Sequence, residues 1–430
     1  MCRHGVAAAS CLRHRKSAMT RLNLFAPEVR ENPYPFYAAL RRESPVCQVD
    51  PNGMWVVTRY DDIVAAFKNT QVFSSAGLRM ATEPPYLRRQ NPLSGSMILA
   101  DPPRHGQLRS ISSRAFTANM VSTLEHHMRS MAVRLTDDLV HRRVVEFISE
   151  FASRAQVSVL AKLIGFDPGL EGHFKRWATD LVIVGVIPPE DHARIAEVRR
   201  TIDEMEQYML GLLASRRRHL ENDLVSELLR SRRDDDGITD QDLVSLLSLL
   251  LVAGLETSTS LMTHMVLILA QRPMWMDRLR AEPALIPHFI EEVMRFEAPV
   301  HATMRLTVTE TELGGTRLPA HAVVALLISS GLRDEARFQE PDRFNPERGD
   351  QANLAFGHGA HFCLGVFLAR VQARIVLEEL LRRCHRIVLR TDRLEWQAAL
   401  NTRSPVALPI EVIPVSTTAA RESPVVQGIW

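Results

Sequence analysis

The sequence predicts a mainly α-helical protein carrying small β-sheets, and three observations predict it. Apolar residues recur at helical spacing over most of residues 105–271. Inside that stretch, Thr239-Asp240-Gln241-Asp242 reads as a capping box that opens a helix of roughly thirty residues, which Pro273 ends. After Pro299 the texture changes to short β-like runs at 304–308 and 323–327, broken by Gly and Pro.

Each element follows in order. Asn32-Pro33-Tyr34-Pro35 opens the ordered part, and Pro35 can start a helix that reaches Arg42. Residues 54–58 read as a strand, and Asp61-Asp62 begins a short helix that ends near Lys68. Residues 74–99 are irregular and predict a long loop, which inside a compact domain is commonly functional. Helical patterns occupy 121–141, 170–187, 190–222 and 224–230, with a charged turn at 232–237. A last helix spans about 364–384, and short strands follow. Residues 1–25 are expected to be a disordered extension, with Met19 as an alternative start. Residues 26–415 are expected to form one domain and 416–430 a flexible tail.

Composition narrows the function classes. With 430 residues and 46% hydrophobic content the chain can bury a large core. The 52 basic and 50 acidic residues leave a net charge of +2, too balanced for nucleic acid or an anionic membrane as main partner. Five scattered cysteines (Cys2, Cys11, Cys47, Cys363, Cys384) argue against a disulfide framework and predict a reducing, cytoplasmic setting. No CxxC occurs, so zinc-ribbon and covalent haem-attachment motifs are missing. The most apolar stretch, 243–255, is interrupted by Ser245 and Ser248 and followed by Glu256, so no membrane anchor is expected. Near the N-terminus, the apolar run 6–9 is too short for a secretory signal.

The chemistry concentrates late in the chain, in Phe356-Gly357-His358-Gly359-Ala360-His361-Phe362-Cys363-Leu364-Gly365. Glycines permit tight turns beside a flat cofactor. A helix beginning just after Cys363 would offer free N–H groups and a positive dipole end to the sulfur, lowering its pKa. A lone cysteine is more often a small buried hydrophobe. Here, however, six positions fit one frame, an agreement that arises by chance on the order of once in ten million placements.

That frame resembles the signature of the cytochrome P450 family, Phe-Gly-x-Gly-x-His/Arg-x-Cys-x-Gly. The resemblance implies the cytochrome P450 fold, a triangular helical domain with a smaller β-rich portion. Haem b would lie between the long central helix and the cysteine-loop helix. It implies Cys363 as the axial iron ligand, Phe356 beside the sulfur, N–H donors at Leu364 and Gly365, and His361 at a haem propionate. A thiolate ligand pushes electron density onto iron and favours O–O cleavage.

Other motifs stand in the family's order. Ala253-Gly254-Leu255-Glu256-Thr257 sits mid-helix, where an acid and an alcohol are costly without a purpose. Gly254 and a back-bonded hydroxyl would open a groove beside the cofactor. By resemblance, Glu256 and Thr257 relay protons and Ala253 and Gly254 face the cofactor. Glu292 and Arg295 share a helix face and resemble the family's Glu-x-x-Arg, which would pair with Arg348 as a structural triad. His105 and Arg109, one turn apart, and Arg305 would reach the propionates. One departure is His321, where glycine is usual. A β-carbon resists positive φ, so that turn is expected to differ.

The resemblance also implies partners. No flavin or nicotinamide fingerprint is visible, so electrons are expected from a ferredoxin and its NAD(P)H-dependent reductase. Arg104, Arg114, Arg370 and Arg374 are the candidates for a basic docking face. Substrate walls are expected from residues 74–99 and 177–190, from Leu249, Val252 and Ala253, and from Val300, His301 and Ala302. His301 offers either a polar substrate contact or a place at the haem edge. These walls are mostly apolar and predict a lipophilic substrate such as a terpenoid, steroid, polyketide or fatty-acid-like compound. The expected activity is O2-dependent hydroxylation or epoxidation. The alternatives are a peroxide-driven peroxygenase and a non-catalytic haem-binding protein on the same fold.

Overall fold

The computed structural model describes residues 21–233, 237–349 and 353–415. The expected extension, as far as residue 20, and the tail 416–430 lie outside them. Residues 21–25 correct that expectation, because they belong to the fold. Leu24 N–H donates to Asp50 O at 3.1 Å, and the Leu24 side chain is buried beside Tyr34 and Tyr37.

The major helices are α1 Tyr34–Glu43, α2 Tyr60–Lys68, α3 Arg104–Ala115, α4 Ala118–Arg142, α5 Ser153–Ile164, α6 Glu171–Ile183, α7 His192–Arg218, α8 Leu224–Ser231, α9 Asp240–Gln271, α10 Met274–Ala281, α11 Ile286–Phe296 and α12 Val366–Arg383. Local chemistry sets their ends. Thr117, Asp191 and Asp223 side chains cap α4, α7 and α8. Thr239 and Asp242 form the reciprocal capping box of α9, and Gly165, at φ 92°, closes α5.

Residues 74–99 are not a featureless loop. They fold as the short turns Ala76–Leu78, Arg79–Thr82, Pro85–Leu87, Pro92–Gly95 and Met97–Leu99. Prolines start two of these turns, and the buried Asn91 side chain accepts the Leu93 N–H at 3.0 Å.

Ten strands are described: β1 Val46–Val49, β2 Met54–Val57, β3 Phe73–Ser74, β4 Val144–Glu146, β5 Thr303–Thr307, β6 Thr311–Leu313, β7 Thr316–Leu318, β8 Val323–Leu326, β9 Cys384–Leu389 and β10 Pro409–Pro414. They form a five-stranded sheet in the order β1-β2-β8-β5-β3, a three-stranded sheet β4-β10-β9 and the hairpin β6-β7. The helices enclose the main core, and separate smaller cores lie under the five-stranded sheet. Helix α9 is long and apolar enough to cross a bilayer, but here it is the core helix, mostly buried against its neighbours. His321 keeps the left-handed turn after all, at φ 60°. The expected change is therefore corrected: the turn accepts a β-carbon at a cost of about 1–2 kcal/mol.

Candidate active site

The cysteine loop is held by two short turns, Leu354–Phe356 and Gly359–His361. Gly357 and Gly359 sit at φ 73° and 71°, where a side chain is strained. A β-carbon on Gly359 would also come within 3.0 Å of Phe67 O. The Cys363 N–H donates to Phe356 O at 3.0 Å. Its sulfur accepts the Gly365 N–H, and Gly365 is the N-cap of α12. Leu364 contributes its side chain, packed on the main core.

The expected lowering of the thiol pKa is corrected. Burial pushes Cys363 up, outweighing the Gly365 N–H and the charges of Arg109 and Arg370. A metal cation held at the sulfur would reverse that balance, because coordination deprotonates a thiol outright.

Basic side chains gather beside this loop. His105, buried on α3, and His361 stand with ring centroids 4.3 Å apart. One turn along α3, Arg109 donates to Phe362 O at 2.7 Å. Arg305 on β5 is buried, donates to Met304 O at 2.7 Å and lies 5.4 Å from the Phe67 ring. Asp101 is the carboxylate that acts on His105, His361 and Arg305. Its oxygens already accept the Ser74 hydroxyl at 2.5 Å and the Ser75 N–H at 2.9 Å.

Burial pushes His361 down to about 3, and Arg305 and His105 push the same way. Burial likewise lowers Arg305 to about 10. Arg305 is buried, and the carboxylate that acts on it, Asp101, is already committed to Ser74 and Ser75, so a buried guanidinium is left short of negative charge. A haem would supply the carboxylates this cluster lacks, and Cys363 would offer its sulfur to the iron. The residues therefore fit a haem, whose propionates Arg109, Arg305, His105 and His361 would hold.

The central helix adds the second wall. Thr257 Oγ1 donates to Ala253 O at 2.7 Å. Thr259 and Thr263 make the same back-bond two and six residues on, and the helix runs unbroken, so the expected opening is not seen. Ala253 and Glu256 are exposed, and Val252 and Thr257 half-buried, in a helix otherwise mostly covered. Glu256 reaches water but stands among desolvating protein. That surrounding raises its pKa, and Lys175 of α6 opposes the rise.

Gly254 is corrected as a cofactor contact. A β-carbon there would lie 2.9 Å from Leu160 Cδ2, so this glycine lets α5 approach closely.

Two pocket residues are also corrected. His301 packs against Tyr34 and Tyr37, with ring centroids 6.1 and 5.9 Å away, and burial drives its pKa well below the ordinary value. Ala302 lies in the small core with Tyr34, Tyr37, Val49 and Val56. Strand alternation explains the sides taken along β5, with Met304 joining Ala302 at that core while Arg305 turns toward Phe67. Val300 packs against the neighbouring core that includes Phe67, and Leu249 is buried in the main one.

The triad assembles as expected. Arg295 grips Glu292 through Nε and Nη2 at 2.7 and 2.9 Å, and Arg348 Nε reaches Glu292 at 3.3 Å. Glu292 also accepts the Asn345 N–H at 2.8 Å, and Arg295 donates to Leu332 O and Pro341 O. The sequence reading missed Glu291, which takes Arg370 Nε at 2.6 Å and Asn353 Nδ2 at 3.2 Å. It ties the start of the cysteine loop and α12 to α11. Its signal was a second acid beside Glu292.

The four docking candidates all have partners within the chain. Arg104 is paired with Asp242, Arg370 with Glu291, and Arg374 with Glu125 and Glu378. Arg114 donates to Ser110 Oγ and Ser231 O. Phe362 of the cysteine loop and Phe367 of α12 are exposed.

A cysteine sulfur at a helix start, with an anion-hungry basic shelf beside it and an acid–alcohol pair on the central helix, defines a haem-thiolate protein. The comparisons agree. The cytochrome P450 family model matches residues 183–399. The 6-deoxyerythronolide B hydroxylase of Saccharopolyspora erythraea is 30% identical, over 88% of this chain and 96% of its own. The structure of cytochrome P450 CYP109Q5 from Chondromyces apiculatus is 35% identical with a TM-score of 0.84, covering 92% of this chain and 99% of that one. CYP109E1 from Bacillus megaterium, in complex with testosterone, is 28% identical with a TM-score of 0.80, covering 90% and 99%. The chain belongs to the cytochrome P450 family and is a mono-oxygenase of that family.

Proposed function

We propose that this chain hydroxylates or epoxidises a lipophilic small molecule in the cytoplasm. In this reading it carries haem b and takes electrons from a ferredoxin and its NAD(P)H-dependent reductase. The observation that carries the reading is the pairing of Cys363 with the basic shelf of His105, Arg109, Arg305 and His361. Haem bound to a thiolate supplies dioxygen activation.

The chain's own residues do the rest. Gly365 N–H and Arg109 steady the sulfur anion. Arg305 and His361 orient the macrocycle through its carboxylates. Glu256, whose pKa burial raises, is the acid placed to take up a proton from solvent. Thr257 Oγ1, released from Ala253 O, is the group placed to pass it on. Leu249, Val252, Ala253 and Val300 supply an apolar wall. A relative named for 6-deoxyerythronolide B and a similar structure holding testosterone support a bulky lipophilic substrate.

The test is turnover of a lipophilic compound library with NADPH, a surrogate ferredoxin system and O2, set against peroxide alone. Product that requires the electron chain supports the reading. Product with peroxide alone identifies a peroxygenase, and no product in either arm overturns both.

A further inference from the structure

A buried amide lies against the central helix with its oxygen unbonded. Gln156 of α5 is 1% exposed, and its Oε1 has no partner among the described residues. Its neighbours Ala155, Val157, Val159 and Leu160 are buried and apolar and offer it nothing. Its Nε2 lies 3.7 Å from where a β-carbon on Gly254 would stand, and Leu160, one turn later, closes on the same spot at 2.9 Å. The segment Ile148–Ala152 is wound as a π-helix, packs on α9 and runs directly into α5. A π turn carries an extra residue and rotates the face that follows it, and such turns concentrate at functional sites.

A buried polar group left unbonded is costly, and in a native protein it calls for a reason. The reason is on the facing helix. Between Ala253 and Thr259, α9 holds Gly254, the poorest helix former after proline. In the same stretch the hydroxyls of Thr257 and Thr259 back-bond to Ala253 O and Leu255 O. Both features weaken a helical turn. When such a turn opens, a carbonyl and an N–H lose their bonds, and buried groups must find others. A carboxamide offers the complement of both, a donor at Nε2 and an acceptor at Oε1.

We propose that Gln156 is a positioning residue that lets the Gly254 turn of the central helix open, by bonding the carbonyl and the N–H that opening frees. In the closed helix the amide oxygen is unsatisfied, and in the opened helix it is paired. Gln156 therefore brings the two states closer in free energy. Opening carries Thr257 Oγ1 away from Ala253 O and frees it for the relay. The proposal rests on the haem-thiolate reading above, and Gln156 acts only through the backbone of α9.

The test is hydrogen exchange of the 253–259 amides in the haem-loaded protein. Gln156→Met keeps the side-chain length and removes both polar ends. Exchange there should slow about fivefold, because the opened turn loses its partner. The melting temperature should hold or rise, because the closed helix loses an unsatisfied amide. A merely structural glutamine predicts the opposite, faster exchange and a lower melting temperature. Thr136→Val of α4 is the control. Thr136 is fully buried, its Oγ1 also lacks a partner among the described residues, and its loss should leave exchange at 253–259 unchanged. Product per O2 consumed, with the library compound the wild type oxidises fastest, should fall about fivefold in Gln156→Met and hold in Thr136→Val. Should Gln156→Met fail to fold, Gln156→Asn, which draws the amide back by one carbon, should slow exchange in the same sense. Unchanged or faster exchange in the folded variants overturns the proposal, and slower exchange with unchanged coupling overturns its link to the relay. A wild type that makes no product with the electron chain overturns the proposed activity instead, and exchange still decides the opening.

Discussion

The imidazoles of His105 and His361 lie with ring centroids 4.3 Å apart, one on the α3 helix and the other two residues before Cys363. In the proposed reading both rings face the haem carboxylates. His361→Phe and Arg305→Leu should therefore speed haem loss by about 10–100-fold, the loss of one charge-assisted bond of about 1.5–3 kcal/mol. Transfer of haem to excess apoglobin measures it. Unaltered loss in both variants would mean the shelf holds something other than haem.

Glu292 is buried at 4% exposure and bonds Arg295, Arg348 and Asn345 N–H. Glu292→Gln leaves two arginines with no matching charge and should destabilise the fold by about 3–5 kcal/mol. Thermal denaturation and the yield of haem-loaded protein check this. A stable Glu292→Gln protein would remove the triad from its bracing role.

Thr257→Ala removes the hydroxyl that bonds Ala253 O. Product formed per O2 consumed should fall by at least about tenfold, with peroxide released in its place, because a positioned proton carrier is worth on the order of 100-fold or more. Oxygen-electrode and peroxide assays read both quantities. Intact coupling would show that protons arrive by another route.

His264, fully buried, donates from Nδ1 to Glu297 O at 2.8 Å, while its Nε2 has no partner among the described residues. Burial pushes its pKa down to about 4, Arg403 adds to the fall, and Glu297 opposes it. The folded value lies below the unfolded value near 6.5, so the native state binds fewer protons between them. Stability present above pH 6.5 is lost as pH falls toward 4, by up to about 3 kcal/mol. His264→Phe should flatten this acid limb of melting temperature against pH. An identical limb in the variant would place the acid sensitivity elsewhere.

Local chemistry was the legible part of this fold. The Thr239–Asp242 box, the Pro35 start and the Cys363 frame are read within a few residues, and the structure keeps them. What escaped depends on distant partners. Strand β4 has three residues and pairs with β10 far along the chain, for example Glu146 with Pro409. The sides taken by Ala302 and Arg305 follow from sheet register and packing, not from residue type. Arg374 looked free for docking because its partner, Glu125, lies on another helix. Gly254 looked like a helix weakness until Leu160 appeared against it.

The most direct measurement is the absorption spectrum of the reduced protein under carbon monoxide. Wild type should show the strongly red-shifted Soret band of CO opposite a thiolate, and Cys363→Ala should lose it. A band at the position given by a nitrogen ligand in the wild type, or a red-shifted band that survives Cys363→Ala, would contradict the assignment of Cys363 to the iron.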